Sequence, residues 1–94
     1  MQDINIGQLI FSKAGRDKGN PFLVVEVAEG YVYLVDGKMR RLDQPKKKKI
    51  KHIQPTHWIS HDLAEEIRSY GKLTNADIQK EIAALVEKNT EKEE

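Results

Sequence analysis

The chain contains no cysteine, which excludes disulfides, thiolate zinc sites and cysteine nucleophiles and leaves packing as the source of stability. No apolar run approaches the roughly eighteen residues that span a bilayer. Met1-Gln2-Asp3-Ile4-Asn5 has no basic leader region either, so a cytoplasmic protein with no membrane partner is expected. Hydrophobic residues make up 38% of the 94, enough for one small core but not for a deep ligand cavity as well. The composition therefore suits a surface-binding module better than an enzyme with a small-molecule substrate.

What the sequence does have is charge, spread unevenly. Residues 1–57 hold eleven Lys and Arg against six Asp and Glu, a net of +5, while residues 58–94 hold five against nine, a net of −4. The basic half is the part suited to a polyanion. Within it, residues 36–57 alone reach +6, through Lys38, Arg40, Arg41, Lys46, Lys47, Lys48, Lys49 and Lys51. Ammonium groups this close repel one another, and a nearby anion such as phosphate relieves that repulsion.

Between Gly7 and Ile53, short β-rich runs alternate with turn signals. The expected strands are Gly7–Lys13, Phe22–Ala28, Tyr31–Val35, a run Lys38–Leu42 entered through an Asp36-Gly37 hairpin turn, and a closing strand Ile50–Ile53. Five short strands suggest a half-open barrel. After Pro55 the period becomes helical. Ser60 is the expected N-cap of a first helix carrying Leu63, Ile67 and Tyr70, with Gly71 as its stop. Thr74 and Asp77 have capping-box spacing before a second helix, whose stripe is Ile78, Ile82, Leu85 and Val86. Residues 1–57 are thus expected as the barrel, 58–90 as a helical extension packed on it with Trp58 as a wedge, and 91–94 as a frayed tail.

Catalytic signals are weak. The loop Ala14–Asn20 has Gly15, Arg16, Lys18 and Gly19 but lacks the Gly-Lys-Ser/Thr ending of a P-loop. His52, His57 and His61 straddle a strand end, a proline turn and a helix start, so no metal site is expected. Ser12 has no partner that spacing would supply, and the helical carboxylates alternate with cations as on a solvated face. No catalytic residue and no cofactor is expected.

Gly7-Gln8-Leu9-Ile10 through Ser12-Lys13-Ala14-Gly15-Arg16-Asp17-Lys18-Gly19 resembles the KOW motif of translation and transcription proteins. Val35–Asp43 and Pro45–Gln54 look like the continuation found in small bacterial KOW proteins similar to ribosomal protein L14e, and Leu73–Ile78 looks like their tail. The resemblance covers residues 7–55. It implies a mainly β, SH3-like five-stranded barrel, here with a C-terminal extension of two short helices, that binds RNA, typically ribosomal RNA. Carried over by position, the family's basic loop falls on Arg16 and Lys18, its glycine turn on Gly15 and Gly19, and its basic tract on Lys46, Lys47, Lys48, Lys49 and Lys51; with Lys38, Arg40 and Arg41 from the charge cluster, these are the expected RNA-binding residues. Association with the ribosome or a ribosome-associated protein is implied too. Tyr31 and Tyr33, on one face of their strand, could stack on a base or pack at the rim. The alternative is an adaptor that docks on a protein through the stripe Ile78, Ile82, Leu85 and Val86.

Overall fold

Side chains alternate across a strand, so a strand that is apolar at consecutive positions must be covered on both faces. That is the situation in β1 (Gln8–Ser12), β2 (Pro21–Ala28) and β3 (Tyr31–Val35). The structure, a computed structural model, describes residues 3–69 and 71–92. Beyond those three strands it contains β4 (Lys46–Lys49), a 3-10 turn at Ile50–His52, β5 (Ile53–Ile59), α1 (His61–Arg68) and α2 (Asn75–Lys92). The strands form one antiparallel sheet in the order β4-β3-β2-β1-β5. The sheet is not closed, and β4 and β5 are its outer strands.

One face carries Leu9, Leu23 and Val35, packed with Leu63 of α1 and Ile78 and Ile82 of α2. The other carries Ile10, Phe22, Val24, Val32, Leu34 and Ile53, none more than 2% exposed, with only Ile4 and Ile50 added from the flanking chain. Among the described residues no residue of α1 or α2 joins that second cluster, so the sheet hides it by its own curvature. Register shifts at Gln8/Ile10 and at Val24/Glu26 supply two bends.

The third and fourth connections differ from the sequence expectation. Lys38–Leu42 is not a strand. The Asp36 carboxylate accepts from the amides of Lys38 and Arg40 at 2.9 and 2.8 Å, and the amides of Asp36 and Gly37 both donate to the Arg40 carbonyl. The Leu42 amide is spent on the Asn75 side chain at 2.8 Å. These backbone groups have no ladder to offer, and the segment becomes a loop. The fourth strand is the lysine run itself, paired Tyr31 to Lys49 through Leu34 to Lys46. Ile50–His52, expected as the closing strand, is the 3-10 turn, and β5 continues through Pro55 to Trp58 and Ile59, past the boundary expected after residue 57. Proline is tolerated there because β5 is an outer strand.

Both helix starts follow the sequence signals. Ser60 accepts from the Leu63 amide, and its hydroxyl donates to Glu81 of α2 at 2.7 Å, tying the two helices together. Thr74 and Asp77 exchange reciprocal bonds of 3.0 and 3.1 Å. The stop of α1 comes before Gly71, with Ser69 as C-cap. Tyr70 lies outside the described residues, as do 93 and 94 of the expected tail, while α2 runs on to Lys92. Trp58 packs edge-to-face on Phe11, with ring centroids 6.2 Å apart, and borders the cluster under the helices.

The N-terminus of α2 sits directly on the 36–42 loop. Gly37 has φ +80°, and a Cβ there would run into the Asn75 carbonyl, while Gln79 donates to the Gly37 carbonyl at 2.8 Å. Ile78→Ala should cost about 2–5 kcal/mol of unfolding free energy through the cavity it leaves. Gly37→Ala should also destabilise the fold, because both φ and space forbid it. Urea titrations of the two variants check both, and wild-type midpoints would mean that α2 is not docked in this way.

Candidate functional site

Alternation along β4 divides the lysine run. Lys47 and Lys49 stand opposite Tyr33 and Tyr31, on the face whose far half lies under the helices, while Lys46 and Lys48 stand opposite Leu34 and Val32, on the helix-free face. Lys46, Lys47 and Lys49 are exposed, and the Lys47 ammonium lies 4.4 Å from the centroid of the half-buried Tyr31 ring. Lysine is a poor strand former, and this strand exists because β3 offers it a ladder. An outer strand made of lysines also discourages edge-to-edge association.

Lys48 shares the helix-free face with Lys46 but is turned inward. It is half-buried, and its ammonium donates to the Ser12 hydroxyl at 2.7 Å and to the Ala14 carbonyl at 2.8 Å. Two strands separate β4 from β1, so in a flat sheet they would lie about 14 Å apart, beyond the reach of a lysine. The contact exists because the sheet curves. It brings the lysine strand beside the loop between β1 and β2, and a shallow groove of about 440 Å³ opens there, lined by Ala14, Gly15, Tyr31, Lys46–Lys49 and His52.

The other basic candidates divide by position. Arg16 and Lys18 are exposed on the β1–β2 loop, which Gly15 and Gly19 bracket with φ of +79° and +86°. Lys51 is exposed on the 3-10 turn. Arg40 is turned inward, with Nη2 3.1 Å from a carboxylate oxygen of the largely buried Asp17 and Nε buried with no hydrogen-bond partner among the described residues. Arg41 and Asp43 make a loose exposed pair at 4.0 Å. Lys38 lies elsewhere, beside the exposed Met39 on a larger hollow of about 640 Å³ between the 36–40 loop and α2.

Sequence reasoning treated the ten cations as one class and missed the inward direction of Lys48 and Arg40. It also missed His52 as a lining residue of the groove. Alternation could have separated the lysines, but only once the run was known to be a strand.

The stripe on α2 is mostly spent on the fold. Ile78 is fully buried and Ile82 nearly so, with Leu85 and Val86 partly buried against the same cluster. Among the described residues, no group of three or more His, Cys, Asp or Glu is placed to hold a metal ion, and no helix is long and apolar enough to cross a membrane.

Lys47 and Lys49 share a face at two-residue spacing, so their mutual repulsion opposes folding and salt should screen it. The thermal midpoint of the wild type should rise from low to moderate salt. In a Lys47→Gln/Lys49→Gln variant the midpoint should start higher and rise less, as read by calorimetry.

No family model and no curated protein matches this chain.

Proposed function

We propose that this protein is an RNA-binding module of the KOW type, built on an SH3-like barrel, that holds structured RNA through the groove between β4 and the β1–β2 loop. The RNA class is ribosomal, met on the ribosome or during translation in the cytoplasm. The reading includes no catalytic step, no cofactor and no small-molecule substrate.

The observation that carries it is the exposed lysines of β4, Lys47 and Lys49 on the tyrosine face and Lys46 on the helix-free face. Lys46, Lys47 and Lys49 are exposed on one short strand, next to a partly buried tyrosine and to a glycine-bracketed loop bearing Arg16 and Lys18. Lysines of this kind meet phosphate oxygens and fix orientation without reading bases. Structured RNA is recognised through shape, 2′-hydroxyls and unpaired bases, and a shallow groove with an aromatic rim suits that better than a deep pocket would.

Three features support the barrel assignment. The first four strands form a meander and β5 returns beside β1, the helix-free face is sealed without a second layer, and Lys48 reaches from β4 to the end of β1. The alternative of an adaptor using the α2 stripe is disfavoured by the burial of Ile78 and Ile82.

Co-sedimentation with ribosomal subunits from lysate, at low and raised salt and with a nuclease-treated control, tests the reading. Nuclease-sensitive and salt-sensitive migration is expected, with loss of migration in a Lys46→Gln/Lys47→Gln/Lys49→Gln variant that still folds. For purified RNA, four or five phosphate contacts predict a slope of about −3 in log K against log[salt]. Equal binding by the triple variant would rule out the lysine strand as the RNA surface.

A further inference from the structure

Two of the ten basic candidates, Lys48 and Arg40, turn onto the same loop from two different elements. Lys48, on β4, donates to the Ala14 carbonyl at 2.8 Å and to Ser12, whose hydroxyl donates to that same carbonyl at 3.0 Å. Arg40, on the 36–42 loop, holds the Asp17 carboxylate at 3.1 Å. The loop's own backbone bonds close its stem, between Ser12, Gly19 and Asn20, and two turns, from Gly15 to Lys18 and from Asp17 to Asn20. The side chains of Lys48, Ser12 and Arg40 add anchors at the Ala14 carbonyl and the Asp17 carboxylate, on either side of Gly15 and Arg16.

We infer that Lys48 and Arg40 are positioning residues: they brace the β1–β2 loop beside the lysine strand, so that Arg16 and Lys18 are presented with Lys46, Lys47 and Lys49 as one surface, and they do not themselves hold phosphate. The inference rests on the RNA-binding reading above. Two of the three ammonium donors of Lys48 already have acceptors, and Arg40 and Asp17 cancel in charge. A loop braced before binding does not have to be ordered by the ligand, and the saving appears as affinity.

Asp17→Ala separates bracing from charge. The change removes a negative charge, so electrostatics alone predicts tighter binding and a steeper salt slope. The brace predicts the opposite sign. With a fluorescent RNA stem-loop as probe, at a temperature where circular dichroism shows each variant folded, Asp17→Ala and Lys48→Met should each weaken binding about threefold to tenfold. Amide hydrogen exchange at Lys18, Gly19 and Asn20, whose amides donate to carbonyls of Gly15, Ser12 and Asp17, should quicken in both. Lys47→Met, a phosphate contact, should instead make the slope shallower by about 0.7–0.9 and leave loop exchange unchanged.

Tighter binding by Asp17→Ala overturns the brace, as does a Lys48→Met slope that falls like that of Lys47→Met. Unchanged affinity in folded Lys48→Met makes its contacts merely structural and overturns the functional part. If the wild type shows no salt-sensitive binding, the RNA-binding reading fails by itself. Exchange then decides the brace alone, faster in the two variants if it exists and unchanged if it does not.

Discussion

The constraint on which this structure depends is that the sheet is apolar on both faces while only one face has helices to cover it. Leu9, Leu23 and Val35 face α1 and α2, and Ile10, Phe22, Val24, Val32 and Leu34 form a cluster that, among the described residues, neither helix joins. Exposing that second group to water would forfeit roughly 1.5–3 kcal/mol per side chain. Curvature is the remaining way to hide it. Ile4 and Ile50 fill in, and the two register shifts let the strands bend.

The candidate surface follows from that curvature. In a flat sheet β4 and the β1–β2 loop would be separate features, a lysine edge and a glycine-bracketed loop with no common function. Bending brings the end of β1 within reach of Lys48, and the groove between them becomes a single place. The same bending divides the face shared by Leu9 and Tyr31. One half goes under the helices, and the other, with Tyr31, Tyr33, Lys47 and Lys49, stays accessible. Packing of the core thus sets the site, and the site's residues add little to the core.

Much of this was legible in the sequence wherever a local rule decides the outcome. The first three strands, the Ser60 cap and the Thr74–Asp77 capping box depend on neighbours a few residues away, and each is found within a residue or two of its expected place. The errors lie where a distant partner decides. Asp36-Gly37 has the composition of a hairpin turn, but the Asp36 carboxylate takes two amides of its own loop and Asn75, more than thirty residues away, takes a third. Four lysines in a row have no period and low strand propensity, so nothing local marks them as β4. Only the free edge of β3 does.

That last error bears on how charge should be read. Counted along the chain, residues 36–57 carry +6, as though every cation faced one partner. In the fold, Arg40 is matched by Asp17 from a segment outside that count, Lys38 belongs to another hollow, and Lys48 donates to neutral oxygens at the end of β1. Asp36, which lowers the count, has its carboxylate turned to the backbone of its own loop. The field at the groove therefore comes from fewer cations than the sequence total, held closer together. A polyanion responds to that local density rather than to the sum, because beyond about 10 Å at 0.1 M salt each charge is largely screened. Lysines that look alike in the sequence thus divide into those exposed on the strand and one whose ammonium is bonded to the end of β1.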